Sequence, residues 1–432
     1  MSTSVEIRIN GRYKIQNLIG NGVNAQVFSG TNVHSSEEIA IKLEEETTKT
    51  PVLLKEAQIL KKLQGGLGVP LYFWSGKDGD YNCLVMELLG QSLKEKLKIC
   101  KNSFSLKTTL MIADQAVGIL DYIHENGIIH RDLKPRNFCL GKENNFFQIN
   151  LIDFGSSRRE DEEPIPTETD KFEVVGKIEF SSIASHEGKN VSRKDDLESL
   201  MYMILYLLTG TLPWMVPAYQ RGVSQPERLK KVLELKRAFK DSEYWDVALI
   251  RPSSVDPNDL EPIPKEIKEM YLDIIGLGLD EKPQYNQYRK ILREILVNKF
   301  LEYDYIYDWM LVPVVEHLEN DSELSEQKTE LRFDLDNQEK LKSLIQAYEE
   351  DPSVIDFKME QIKKQHSKFD MIGKGRRKKK RKSSAYFNAD ARTEAGGRSH
   401  GNMELQPLKK SKTSTGKKKK RGKKKDKDCV LI

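Results

Sequence analysis

The chain has 432 residues, 38% apolar and 31% charged, enough to bury a sizeable core, and its longest apolar run, Leu200 to Leu208, is too short to span a bilayer and reads as a buried helix. Its net charge of +4 conceals an asymmetry: residues 373–432 carry 22 Lys and Arg against 5 Asp and Glu, about +17, which leaves about −13 for the rest. Cys83, Cys100, Cys139 and Cys429 lack metal-ligand spacing, and no apolar leader opens the sequence, which fits a reduced compartment without disulfides or zinc.

Residues 12–86 read as a β-rich segment. Leu18-Ile19-Gly20-Asn21-Gly22-Val23-Asn24-Ala25-Gln26-Val27 is a Gly-rich turn between strands, the kind that lets backbone N–H groups come close to phosphates. Glu38-Ile39-Ala40-Ile41-Lys42-Leu43-Glu44 alternates as a strand and ends near a lysine. A helix is predicted from Pro51, with Leu53, Leu54, Ala57, Ile59, Leu60 and Leu63 on its apolar face and Glu56 within reach of Lys42. Tyr81 to Met86 is an apolar strand that runs into Glu87-Leu88-Leu89-Gly90. Ser105 is the predicted N-cap of a long amphipathic helix that ends near Asn126-Gly127.

Next comes His130-Arg131-Asp132-Leu133-Lys134-Pro135-Arg136-Asn137, then the apolar strand Gln148 to Ile152, then Asp153-Phe154-Gly155. A hydroxyl attacking a γ-phosphate needs a carboxylate to orient it and take its proton, and Asp132 supplies one. The phosphates need Mg²⁺ held by hard oxygen ligands, and Asn137 and Asp153 supply those from two segments. Lys134 brings a positive charge to the transferred group. One tripeptide would be weak evidence; both motifs, in order and separated by a strand, resemble the catalytic and metal-binding loops of protein kinases. An acidic, Pro-broken loop from Arg158 to Asp170 follows, where those enzymes have their activation segment.

The resemblance narrows to the casein kinase 1 group. It is carried by Leu63-Gln64-Gly65-Gly66-Leu67-Gly68-Val69-Pro70, Gly79-Asp80-Tyr81-Asn82, Met86-Glu87-Leu88-Leu89-Gly90, Phe104-Ser105-Leu106-Lys107-Thr108, Arg193-Lys194-Asp195-Asp196-Leu197-Glu198-Ser199-Leu200, Leu212-Pro213-Trp214 and Tyr303-Asp304-Tyr305-Ile306-Tyr307-Asp308-Trp309. It implies an α+β, bilobal kinase fold over residues 12–310, with a small β-rich lobe and a larger helical one. It implies a monomeric enzyme that transfers the γ-phosphate of Mg-ATP to Ser or Thr of protein substrates. ATP would be held by Ile19, Gly20, Gly22, Val27, Lys42, Met86, Glu87 and Leu89, with the backbone from Glu87 to Leu89 reading the adenine edge. Asp132, Lys134, Lys42 and Glu56 would form the catalytic set and Asn137 and Asp153 would bind Mg²⁺. Asp195 would brace the catalytic loop from a buried helix, although Asp195 and Asp196 also suit a helix N-terminus.

Some residues depart from the family pattern. Ala25 replaces the third loop glycine. The usual Ala-Pro-Glu is absent, and Lys177-Ile178-Glu179-Phe180 stands where the family has Thr-x-Arg-Tyr, similar here to vaccinia-related kinases. The family arginine helps bind a phosphate already on the substrate, and a glutamate there repels one. Less dependence on primed or acidic substrates is therefore expected; the acidic body is expected to favour basic ones, and the missing threonine to loosen a contact to Asp132. The contrasting reading is a weakly active kinase fold that serves as a membrane or nucleic-acid tether.

Residues 311–372 read as a charged, partly helical spacer and 373–432 as a disordered polybasic tail. Cys429-Val430-Leu431-Ile432 is a Cys-aliphatic-aliphatic-X ending, which marks Cys429 for prenylation, with Ile432 leaning towards geranylgeranyl. One lipid anchors weakly, and lysines near an anionic leaflet add ~1 kcal/mol each. The expected location is the cytoplasmic face of a membrane and the cytoplasm. The cluster Lys374 to Lys382 also suits nuclear import factors or nucleic acid, and so a nuclear location. Ser and Thr among the clusters offer a phosphorylation switch, and the tail could fold back on the acidic body.

Overall fold

The computed structural model describes residues 6–312, apart from 23–24, 143–144, 163–173, 248 and 251–260. The expected basic tail, Cys429 and nearly all of the spacer lie outside the described residues. Residues 8–87 hold one antiparallel sheet. It contains β1 (Arg8–Ile9), β2 (Tyr13–Asn21), β3 (Gln26–Asn32), β4 (Glu38–Glu45), β5 (Tyr72–Asp78) and β6 (Tyr81–Glu87), in the order β1-β2-β3-β4-β6-β5. Its register lines up Gly20 with Val27, Val27 with Lys42 and Lys42 with Leu84, so the Gly-rich turn and the strand lysine share one rung. Ile39, Ile41, Cys83 and Val85 are buried together in a small core of this sheet.

The helix after β4 begins at Leu53 rather than Pro51 and runs to Lys62 as α1. No residue of its own caps it. The Glu44 carboxylate, from the end of β4, instead accepts from the amides of Val52 at 3.0 Å and Leu53 at 3.3 Å. An acidic group satisfying these orphan amides is what a helix N-terminus favours. The cap fixes the helix against the sheet, with Leu53, Glu56, Ala57, Ile59 and Leu60 buried.

Helices dominate the rest. They are α2 (Leu93–Ile99), α3 (Leu106–Glu125), α4 (Ile183–His186), α5 (Arg193–Thr209), α6 (Met215–Ala218), α7 (Gln225–Ala238), α8 (Tyr244–Val247), α9 (Lys265–Gly276), α10 (Tyr285–Asn298) and α11 (Asp308–Leu311). Three small antiparallel pairs interrupt them: β7 (Ile128–Ile129) with β10 (Arg158–Arg159), β8 (Phe138–Leu140) with β9 (Ile149–Leu151), and β11 (Leu249–Ile250) with β12 (Glu261–Pro262). Ser105 caps α3 as expected, its hydroxyl accepting from Thr108 N at 3.2 Å. Helix α5 is buried from Asp195 to Leu208, and it packs with α3 in the main core. No helix among the described residues is long and apolar enough to cross a membrane.

The packed body extends through α10 and α11. Asp114 on α3 accepts from Arg289 and Arg293 at 3.0 to 3.2 Å. Asp308 accepts from Ser105 N, Ser105 Oγ and Thr108 Oγ1 at 2.5, 2.6 and 2.8 Å. Hydrogen bonds to a charged group contribute ~1.5–3 kcal/mol. Asp308→Ala is therefore expected to lower stability by about 2 kcal/mol, read as an earlier urea midpoint with an unchanged m-value.

Candidate active site

Lys42 lies where the sheet meets the helical part. Its ammonium is 3.0 and 2.8 Å from the two oxygens of Glu56 and 2.8 Å from Asp153 Oδ1. Burial pushes this lysine's pKa down, but the Glu56 and Asp153 charges hold it above the ordinary value. Burial raises Glu56 despite Lys42. Burial also opposes ionisation of Asp153, yet Lys42, then Lys134 and His130, hold its pKa below the usual carboxylate range. Losing one partner of such a pair strands the other charge and costs ~3–5 kcal/mol.

Asp153 sits at φ 66°, ψ 66°, in the left-handed region. Aspartate tolerates that conformation better than most residues, at a cost of ~1–3 kcal/mol. The turn continues through Phe154–Ser156, with Phe154 buried edge-on to the His130 ring at 5.1 Å. His130 Nε2 also lies 3.1 Å from Ile152 O. The aspartate of one loop is thus fixed through the histidine of the other.

The loop from His130 to Asn137 is tied from below, and here the structure corrects an expectation. Asp196, rather than Asp195, braces it: its carboxylate accepts from His130 N at 2.7 Å and Arg131 N at 2.8 Å. Asp196 is fixed in turn by His124 Nε2 at 2.9 Å, whose other nitrogen is 2.6 Å from the Tyr285 hydroxyl. Burial opposes ionisation of Asp196, but His124 and His130 hold its pKa below the usual range. Asp195 points to its own helix start and accepts from Ser192 N at 2.7 Å. One residue of helix turns a side chain by ~100°, which separates the two roles. The brace holds Arg131 at φ 69°, while Arg131 Nε donates to Ser156 O at 2.7 Å.

Within the loop, Lys134 Nζ is 2.5 Å from Asp132 Oδ2. Asn137 Nδ2 donates to Asp132 O at 2.8 Å and to Oδ2 at 3.3 Å. The Asn137 amide N–H₂ is therefore committed, and its carbonyl oxygen is the group left for a metal. Asp132 Oδ1 is buried and has no hydrogen-bond partner among the described residues, so one lone-pair face of the carboxylate is left for a hydroxyl donor. Gly176, at φ 85°, lies against it: a Cβ there would stand 2.7 Å from Arg131 O and 3.2 Å from Asp132 Oδ1. No side chain larger than hydrogen fits.

The remaining predicted residues lie along the sheet. Gly22 N donates to Ala25 O at 2.8 Å and closes the turn, whose Val23 and Asn24 lie outside the described residues. A Cβ on Gly20 would meet Val27 only at ordinary contact distance, 3.5 Å, so packing within the chain does not require that glycine. Ile19 is exposed, Val27 half-buried, and Met86 pairs with Ala40 across the sheet. Glu87 is tied at the strand end, its amide donating to Leu71 O at 2.8 Å and its carboxylate accepting from Leu71 N at 3.0 Å. Leu89 follows, half-buried, just before Gly90 N donates to Leu140 O.

Asn137 and Asp153 suit Mg²⁺, which keeps waters and phosphate oxygens as ligands and needs only one or two protein groups. No cluster of three or more His, Cys, Asp or Glu among the described residues forms a self-sufficient metal cage. A family model described as Protein kinase domain matches residues 13–275, and the chain belongs to that family. It is thereby a protein kinase, of a class that phosphorylates proteins with ATP and a divalent metal, generally Mg²⁺.

The sequence reading missed Asp196, His124 and Tyr285, which hold the loop without touching substrate. Asp196→Asn is expected to lower kcat about tenfold or more, with Asp195→Asn nearer wild type, in steady-state assays on protein whose melting temperature has been checked. Equal losses would return the brace to Asp195.

Proposed function

We propose that the protein is a casein kinase 1-like serine/threonine kinase of bilobal form that transfers the γ-phosphoryl group of Mg-ATP to protein hydroxyls. The observation that carries this reading is the Asp132 carboxylate, with Oδ2 held by Lys134 and Asn137 and Oδ1 left without a partner. A Ser or Thr hydroxyl donates to Oδ1, its oxygen attacks the γ-phosphorus, and its proton passes to Asp132. The bond from the γ-phosphorus to the β,γ-bridging oxygen breaks, and ADP leaves with that electron pair. Lys42, oriented by Glu56, binds the α- and β-phosphates, and Lys134 faces the charge on the transferred group. Gly20 and Gly22 bring backbone to the phosphates, Ile19 and Val27 cover the base, and Met86, Glu87 and Leu89 line its edge. Asn137 Oδ1 and Asp153 hold Mg²⁺, which when bound neutralises charge on the β- and γ-phosphates.

The casein kinase 1 assignment is supported by motifs in order from Leu63 to Trp309, and Ser/Thr specificity follows from that likeness. A chain ending at Ile432 offers Cys429 for prenylation, beside a lysine run suited to an anionic cytoplasmic leaflet. The basic clusters also fit a nuclear location. The kinase domain works as a monomer in this reading.

General-base catalysis contributes ~10²–10⁴-fold. Asp132→Asn is accordingly expected to cut phosphate incorporation into a serine peptide by at least about a hundredfold, read with γ-labelled ATP. Wild-type incorporation no greater than the mutant's would leave the tether reading standing. For the tail, full-length prenylated protein should float with vesicles containing phosphatidylserine, and Cys429→Ser should stay in the soluble fraction; equal flotation would remove the lipid from the account.

A further inference from the structure

Beside the catalytic loop lies a cleft of about 390 Å³ lined by Val174, Gly176, Lys177, Ile178, Glu179, Tyr219, Gln225 and Leu229. Resting on the kinase reading above, we propose that this cleft is a substrate subsite that takes the lysine or arginine side chain of a residue flanking the phosphoacceptor, selected by Glu179.

Its position comes from Gly176, which lines the cleft and lies against Arg131 O and Asp132 Oδ1. A group seated there belongs to a residue close to the reacting serine or threonine. Its chemistry comes from Glu179. This side chain is 7% exposed, and one carboxylate oxygen accepts from the Tyr219 hydroxyl. The other oxygen, Oε2, has no hydrogen-bond partner among the described residues. The Glu179 carbonyl accepts from Trp214 Nε1 at 2.8 Å, so the backbone that carries the carboxylate is fixed. A buried polar atom left unpaired is costly, and no donor among the described residues satisfies this one.

Lys236 lies close enough for its charge and that of Glu179 to act on each other, but its hydrogen bonds go elsewhere. Lys236, buried behind the loop, aims its ammonium at Ile178 O, 2.9 Å away, and Ser181 O, 2.5 Å away, and stands 4.7 Å from the Tyr202 ring centre. Lys177 stands exposed at the cleft's edge. The amino end of α7 would otherwise attract an anion, but it is closed by its own capping box: Ser224 N and Oγ reach the Glu227 carboxylate at 3.2 and 2.7 Å. Ile178, Leu229 and the Tyr219 ring give the cleft an apolar part, and Tyr219 is 52% exposed. A cleft with apolar lining residues and the Glu179 carboxylate among them suits a long aliphatic stem with a cationic head, the build of lysine and arginine. A phosphate or carboxylate would meet the buried Glu179 charge head-on.

The test is a positional peptide scan on the full-length protein. Each peptide has one serine in a neutral background, with Lys, Ala, Glu or phosphoserine placed in turn at every position from four before it to four after. In the wild type, one position should show Lys over Ala by about tenfold in kcat/KM, with phosphoserine disfavoured there. Glu179→Gln should bring that ratio close to one. Gln225→Lys changes an exposed residue and keeps the test valid should the buried variant fail to fold; it should reduce the same ratio through KM. A wild type that prefers Glu or phosphoserine, or a Lys preference untouched by either variant, overturns the subsite while leaving the kinase intact. No transfer to any peptide overturns both.

Discussion

The Lys42 ammonium lies between two carboxylates that reach it from separate parts of the chain. Glu56 comes from α1 and Asp153 from the turn after β9, 111 residues further on than Lys42. The pairings make one continuous chain of contacts from the sheet to the catalytic loop. The strand register sets the height of Lys42, the Glu44 cap sets α1, and α1 presents Glu56. Asp153 is held in a left-handed conformation by the same lysine and by the turn behind it. A cation that must be buried and still charged needs both partners, so moving either element would cost more than a surface ion pair is worth.

A second tie holds the catalytic loop from the helices. Asp196 gathers the amides of His130 and Arg131 and is itself gripped by His124, on α3, which contacts Tyr285, on α10. Three helices thus position the loop that carries Asp132, Lys134 and Asn137. This explains why the ordered body extends past residue 275, where the family match ends: Tyr285, Arg289 and Asp308 are part of what holds α3 still.

That Asp132, Lys134 and Asn137 come together was legible because it depends on spacing within one short loop. A strand, a turn and an aspartate five residues before an asparagine fix their own geometry. The placement of Gly20 beside the rung of Lys42 was legible for the same reason, since strand pairing sets their register. The brace was not. Asp195 and Asp196 are equally good helix-start residues, and only the direction of α5 against the loop decides which one reaches it. The helix start after Pro51 was misplaced because its cap, Glu44, lies back on the preceding strand. Glu179 was legible as a charge at a marked position, but its burial was not: Trp214 and Tyr219, which hold it, lie 35 and 40 residues on.

The central claim is that Lys42, Glu56, Asp153 and Asn137 form one metal-assisted nucleotide site. The direct measurement is calorimetric binding of a non-hydrolysable ATP analogue to the full-length protein, with and without Mg²⁺, repeated on Asp153→Asn. The account predicts binding that Mg²⁺ tightens in the wild type and leaves nearly unchanged in the variant. Absence of binding, or the same affinity in both proteins with and without the metal, would contradict it.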